Sequence, residues 1–198
     1  IGQLYFRLNQ YDDAMKYFRD CREIALESGN KQHIATYYMN LGSFHLSENK
    51  MDQARSCFSK AYDIAEKEKF HADQMEIMIN ICEAYLKSGD LDTAEIYIKK
   101  CRDLTDETKL KNLEIIVLKN EGYLFLYRKD YKSAIQRFIQ GRNLSFELNH
   151  NLELNDIYQG LCLAYKESGD YPSALEIKEE HDDYKSRIFN RETQNKIG

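Results

Sequence analysis

Proline is almost absent from this 198-residue sequence, which contains one, so little interrupts long helices. No stretch approaches the roughly eighteen consecutive apolar residues that a membrane-spanning helix needs. Basic residues, 28 in all, do not outnumber the 33 acidic ones, and the net charge is −5. Because nucleic-acid-binding proteins normally show a basic surface, neither a nucleic-acid partner nor a membrane is expected. No secretory signal peptide is visible either.

The spacings that carry catalysis or metal binding are also missing. The five histidines are dispersed, and no HExxH, GxSxG or phosphate-binding loop occurs. The five cysteines are odd in number and form no CxxC or Cys–His pair, so neither a disulfide framework nor a metal site is predicted. We therefore predict a non-enzymatic protein of a reducing, cytoplasmic compartment, with no cofactor.

What the sequence contains instead is a repeat with a period of forty residues. Alanine recurs at this spacing, with a small residue twelve positions before it, a ring nine before it and usually a bulky apolar residue four after it. These sets are Ala14, Ala54, Ala94, Ala134 and Ala174; Gly2, Gly42, Cys82, Gly122 and Cys162; Tyr5, His45, Tyr85, Phe125 and Tyr165; and Phe18, Phe58, Ile98 and Phe138. Small residues let helices approach closely and rings fill the space beside them. The repeat unit is therefore predicted to be a helical hairpin.

Turn residues divide each hairpin into two helices. Helix pairs are predicted near 1–8 and 11–28, 31–47 and 51–68, 71–88 and 91–105, 109–128 and 131–148, and 151–168 and 171–190. Asn49, Gly89, Lys129 and Gly169 occupy the site where a helix end commonly needs left-handed backbone. Asp90, Asp130 and Asp170 follow and suit the N-cap of the second helix. In the last repeat Lys178 replaces the ring and His181 replaces the small residue, so this repeat departs from the pattern.

The segments NLGSFHLSENKMDQARSCFSKAYDIA and AYLKSGDLDTAEIYIKKC resemble tetratricopeptide repeats, and the resemblance spans nearly the whole chain. Forty-residue versions are similar to those of kinesin light chains, LGN-type polarity adaptors and bacterial peptide-pheromone receptors. The resemblance implies an all-α, right-handed superhelical solenoid of about five helical hairpins. Repeats are expected near 1–30, 31–70, 71–110, 111–150 and 151–181, with a capping or linker helix at 182–198. The tail KSRIFNRETQNKI is similar to the segment that follows such arrays in bacterial sensors.

Asparagine recurs at one position of the first helix, at Asn40, Asn80 and Asn120, where Gly160 ends the series. Asparagine is a poor residue for a helix interior, so the recurrence requires a reason. The resemblance places this position on a concave groove, where carboxamides hold the main chain of an extended peptide. The other residues expected on this face are Thr36, Ser43, Glu76, Glu83, Lys87, Lys119, Tyr123 and Tyr127. In the alternative interpretation each asparagine only bonds the neighbouring repeat. Glu121 replaces a core residue, so its carboxylate must find a partner or reach solvent.

These observations predict a peptide- or protein-binding module, the sensor or scaffold region of a larger bacterial signalling protein. One alternative is a receptor for a short signalling peptide that regulates an attached DNA-binding or phosphatase region. Another is a structural array that forms a homodimer. The sequence does not distinguish them, because a fold does not fix an activity.

Overall fold

The computed structural model describes residues 29–69 and 71–197, together with isolated positions between Lys16 and Glu27. It does not describe the side chains at 71–73, 108 and 188–197. The expectations for the first repeat, such as those at Gly2, Ala14 and Phe18, lie outside the described residues.

The predicted all-α repeat fold is confirmed, and no strand occurs among the described residues. The helices are α1 (Lys31–Ser47), α2 (Met51–Lys67), α3 (His71–Ser88), α4 (Leu91–Thr108), α5 (Lys111–Tyr127), α6 (Tyr131–Glu147), α7 (Leu154–Glu167) and α8 (Tyr171–Ile197). Helix α7 begins later than the repeat predicts, because a turn precedes it, and α8 continues unbroken past position 182. None of these helices is both long and apolar enough to cross a membrane.

A left-handed residue follows each helix from α1 to α7, so the chain turns about every twenty residues. Positive φ angles occur at Asn49 (58°), Lys69 (59°), Gly89 (80°), Lys109 (55°), Lys129 (64°), Asn149 (51°) and Gly169 (87°). The four predicted left-handed sites are confirmed. After them, the N–H groups of Lys50, Asp90, Asp130 and Asp170 donate to carbonyls five residues earlier, which closes each helix end. At Lys129 the side chain is expected to cost about 1 kcal/mol relative to glycine.

The predicted aspartate N-caps are confirmed as well. The carboxylate of Asp90 accepts a hydrogen bond of 3.2 Å from the backbone N–H of Thr93. Asp130 and Asp170 accept the equivalent bonds, each also 3.2 Å long, from Ser133 and Ser173. Each side chain therefore satisfies a donor that the first turn of α4, α6 or α8 would leave unpaired.

The chain divides into two compact units, residues 1–104 and 105–198. In the first unit, Ala54 and Phe58 of α2 are fully buried. A Cβ added to Gly42 of α1 would lie 2.5 Å from the Phe58 ring, so only glycine fits there. One turn earlier in α2, the Arg55 guanidinium lies 5.1 Å from the centre of the Tyr85 ring in α3. The predicted pairing of small residues with rings therefore joins α1 to α2.

In the second unit, Phe138 of α6 is fully buried between two helices. A Cβ on Gly122 of α5 would lie 2.6 Å from its ring, and a Cβ on Gly160 of α7 would lie 2.3 Å from it. Ile157 and Leu161 of α7 complete this core and are also fully buried. One aromatic residue of α6 thus packs against the first helix of its own hairpin and the first helix of the next.

The last hairpin closes this unit through the residues that depart from the repeat. His181 is buried and its ring stacks on Tyr158, with centroids 4.9 Å apart and planes at 15°. The Tyr158 hydroxyl donates a 2.8 Å hydrogen bond to Glu180, whose second oxygen lies 2.8 Å from an Arg142 nitrogen. His181 therefore fills the position that a small residue occupies in other repeats by stacking on α7.

Candidate functional site

In the first unit, the predicted site residues lie along α1 and α3. Thr36, Glu76 and Lys87 are exposed, whereas Asn40, Ser43, Asn80 and Glu83 are half-buried. The Asn80 amide nitrogen donates a 2.9 Å hydrogen bond to the carbonyl of Glu76, one turn earlier in α3. The Ser43 hydroxyl donates to the carbonyl of Met39 at 3.1 Å in the same way. Both side chains are therefore held in fixed orientations by their own helix.

The orientation of Asn80 determines what its amide can offer. Because its nitrogen bonds to the helix, its oxygen Oδ1 is directed away from that carbonyl, and it has no hydrogen-bond partner among the described residues. A half-buried, oriented acceptor is suited to receive a backbone N–H from another chain. Asn80 is the predicted site residue whose geometry best matches a binding role.

In the second unit, Lys119 and Tyr123 of α5 bind the start of α7. The Lys119 ammonium, 6% exposed, lies 2.5 Å from Glu153 and 3.9 Å from Asp156. The Tyr123 hydroxyl donates a 2.8 Å hydrogen bond to the backbone carbonyl of Asp156. A buried ammonium needs such a partner, because desolvating an unpaired charge is costly. Nothing in the sequence indicated that Glu153 pairs with Lys119. The repeat pattern placed Glu153 inside the helix predicted for residues 151–168, whereas in the structure it precedes α7.

Asn120 is the most buried of the three asparagines, at 3% exposure, and its Oδ1 has no hydrogen-bond partner among the described residues. The equivalent position in α7 is Gly160, where an added Cβ would point at Phe138 of α6. This position of the repeat is thus directed towards the second helix of the preceding hairpin. By register, Asn80 in the first unit lies on the side of α3 that faces Phe58 of α2. This geometry is compatible with both interpretations, in which the asparagines bind a ligand in the groove or bond the neighbouring repeat.

Two further predictions have structural answers. The Glu121 carboxylate lies 3.2 Å from the Arg137 guanidinium, so its partner is a cation on α6. Tyr127 is 46% exposed at the end of α5, with its ring 6.1 Å from that of Tyr123, and burial raises the pKa of the Tyr127 hydroxyl. Tyr127 remains accessible to a ligand.

Several cysteines and histidines of the described residues are packed in the interior. Cys82 and Cys101 are buried, and burial raises the pKa of the Cys101 thiol to about 12. The His45 ring packs edge-on against Phe44, and burial lowers its pKa. Its Nδ1 lies 4.0 Å from the Glu48 carboxylate, too far for a hydrogen bond. No group of metal-ligating side chains occurs within the described part of the chain.

Comparison with known families agrees with this architecture. Residues 1–67 match the family model described as tetratricopeptide repeat. This match covers about a third of the chain, and the fold of the described residues is that of a tetratricopeptide-like helical repeat. No curated protein sequence matches it.

Solved structures share this helical-repeat fold over most of the chain. The apo form of RapI is 16% identical, with a TM-score of 0.78, covering 98% of this chain and 71% of that one. A Rap protein complexed with Competence and Sporulation Factor is 15% identical, with a TM-score of 0.81 over 91% of this chain and 50% of that one. Tetratricopeptide-like repeats of a putative kinesin light chain from Podosopora anserina are 12% identical, with a TM-score of 0.71, covering 96% and 93%. At such identities the likeness establishes the fold alone.

Proposed function

We propose that this tetratricopeptide array binds an extended peptide or protein segment along its first helices, without catalysing a reaction. It would serve as the sensor or scaffold region of a larger cytoplasmic bacterial signalling protein. The observation that carries the proposal is the Asn80 amide, whose nitrogen is fixed to the Glu76 carbonyl and whose oxygen has no partner among the described residues. Such an acceptor can bind the main chain of a segment whatever its side chains.

The residues around Asn80 agree with recognition of the main chain. Glu76 and Glu83 lie one turn to either side of it, and Lys87 follows at the end of α3. Thr36 and Ser43 lie at the corresponding positions of α1. This face is neither strongly acidic nor strongly basic, so charge alone would select few ligands. Hydrogen bonds to the backbone would then supply the common part of the affinity.

The likeness to the Rap protein supports a peptide ligand, because that protein was solved in complex with Competence and Sporulation Factor. It also keeps the receptor alternative open, in which a short signalling peptide regulates an attached DNA-binding or phosphatase region. Both functions use the same surface and differ in the length of the ligand and in the attached region.

The test begins with random twelve-residue peptides displayed on phage and selected on the immobilised chain. The affinity of a selected peptide is then measured by fluorescence anisotropy for the wild type and for Asn80→Ala. Because one hydrogen bond contributes about 0.5–1.5 kcal/mol, the substitution should weaken binding roughly three- to tenfold. The matched control is Asn143→Ala, which removes an exposed asparagine from the second helix α6 and should change nothing.

Methylating the peptide's backbone nitrogens one at a time identifies the partner of Asn80. At one position, N-methylation should weaken binding to the wild type and have little further effect on Asn80→Ala, because both changes remove the same hydrogen bond. A lowered melting temperature with unchanged affinity would show that the asparagine joins repeats, and the proposal would fail. Failure to enrich any peptide would reject it too.

A further inference from the structure

Ser43 of α1 and Asn80 of α3 each donate a hydrogen bond to their own helix. The Ser43 hydroxyl donates to the carbonyl of Met39, and the Asn80 amide nitrogen donates to that of the residue one turn earlier. A serine has a single O–H, so its oxygen retains only acceptor lone pairs. Neither Oγ of Ser43 nor Oδ1 of Asn80 accepts a hydrogen bond among the described residues. Both side chains therefore present an oriented acceptor oxygen.

These two oxygens are directed towards each other across α1 and α3. The counterpart of Ser43 in the second unit is Tyr123, whose hydroxyl reaches the carbonyl of Asp156 in the following first helix. This position of the repeat is thus directed towards the next first helix. The position of Asn80 is directed towards the preceding hairpin, as the Cβ direction of Gly160 indicates. Ser43 and Asn80 therefore face one another at the surface of two neighbouring helices.

The distance between the two oxygens follows from the packing of α1 on α3, whose buried faces belong to one core cluster. The axes of packed helices lie about 8–10 Å apart. Ser43 lies three residues beyond the α1 position equivalent to Asn80, which is about 4.5 Å along the helix. Because each side chain extends about 2 Å towards the other, the two oxygens should lie about 5–8 Å apart.

This distance distinguishes between two extended conformations of a ligand. In a β-strand, N–H groups on one edge belong to alternate residues and lie about 6.6 Å apart. In a polyproline II helix, the N–H groups on one side belong to every third residue and lie about 9.3 Å apart. The expected distance between the acceptors includes the first value and excludes the second.

We propose that the ligand lies across α1 and α3 as an extended β-strand and donates two N–H groups, two residues apart, to Ser43 and Asn80. The inference rests on the proposed peptide-binding function. It adds Ser43 as a second binding residue and assigns the conformation and register of the ligand. Asn40, the α1 equivalent of Asn80, already has an interaction within the protein, and Ser43 supplies the acceptor on α1 instead.

The register predicts where the ligand can contain proline. Proline has no N–H, so at either donor position it would remove one of the two hydrogen bonds. The N–H of the residue between them lies on the opposite edge of the strand, so proline should be accepted there. It would also favour an extended conformation of the residue before it. The site should therefore reject proline at two positions separated by one tolerant position.

The probe is the twelve-residue peptide selected for the proposed function, with each residue in turn replaced by proline or methylated at its backbone nitrogen. Binding to the wild type should fall at least threefold at two positions with one tolerant position between them. Sensitivity to N-methylation at one of them should disappear in Ser43→Ala, and sensitivity at the other in Asn80→Ala, because each pair of changes removes the same hydrogen bond.

Ser43→Ala should itself weaken the unmodified peptide roughly three- to tenfold and leave the melting temperature unchanged. The matched control is Ser59→Ala, which removes an exposed serine from the second helix α2 and should leave the affinity unchanged. A lowered melting temperature with unchanged affinity in Ser43→Ala would show a structural role for this hydroxyl and overturn the proposal.

The spacing of the sensitive positions separates this inference from the function on which it rests. Two sensitive positions three residues apart would indicate a polyproline II ligand, and a single sensitive position would remove Ser43 from the site. Either result would overturn the inference while the effect of Asn80→Ala still supports peptide binding. An Asn80→Ala variant with unchanged affinity would instead reject the proposed function and this inference together.

Discussion

Replacing Gly160 with alanine should destabilise the second unit, although alanine is the better helix former. In an exposed helix this change would stabilise by about 1 kcal/mol. Here the new Cβ would lie 2.3 Å from the Phe138 ring, far inside contact distance. The ring has little room to move, because α5 also packs closely against it: a Cβ on Gly122 would lie 2.6 Å from the same ring.

Overpacking of a core typically costs about 1–3 kcal/mol, and the confined ring places this site at the upper end. Subtracting the gain in helix propensity leaves a net loss of about 1–2 kcal/mol, measurable by urea denaturation followed by circular dichroism. Gly141→Ala is the matched control, because its nearest neighbour, at 3.3 Å, is the flexible end of Ile157. That variant should be neutral or slightly stabilised. Phe138→Leu should restore part of the stability lost in Gly160→Ala.

Equal stability of the Gly160→Ala and Gly141→Ala variants would refute the reasoning. It would mean that the Phe138 ring has space to move and that the glycine is not required by the contact. Loss of stability without any recovery in the Phe138→Leu background would place the strain elsewhere.

Two further predictions concern charge and pH. Lys119→Ala should lower the free energy of unfolding by about 1–3 kcal/mol, because it leaves the largely buried Glu153 without its partner. The control Lys111→Ala removes one partner of an exposed ion pair and should change that free energy by less than about 1 kcal/mol. An equal effect of both in urea denaturation would contradict this. Burial lowers the pKa of His181, so the folded state holds the neutral ring, and stability should be lost as the pH falls below about 6.5. In thermal melts from pH 7.5 to 5, His181→Phe should reduce this loss of stability, whereas the control His33→Gln, at an exposed site, should not. Identical pH profiles for the wild type and both variants would exclude the effect.

The sequence alone determined the helical hairpin, its period and its turns. These features depend on groups only a few residues apart, such as the Asp130 carboxylate and the Ser133 N–H, or on positive φ at Gly89 and Gly169. The pairing of Gly42 with Phe58 was also predictable, because a small residue and a ring recur at the same two positions of successive repeats. Local chemistry and periodicity therefore carry the fold class.

Only the tertiary structure decided which side chains meet between hairpins. The contacts of Lys119 with Glu153 and of Phe138 with Gly160 join different helices. A modest rotation of either helix about its own axis would change these partners. The same holds for the burial of Asn120, which has the same residue type and register as the half-buried Asn80. Identical positions acquire different environments because the neighbouring repeats differ. The repeat pattern determines the helix face on which a side chain lies, and tertiary packing determines which residues it contacts.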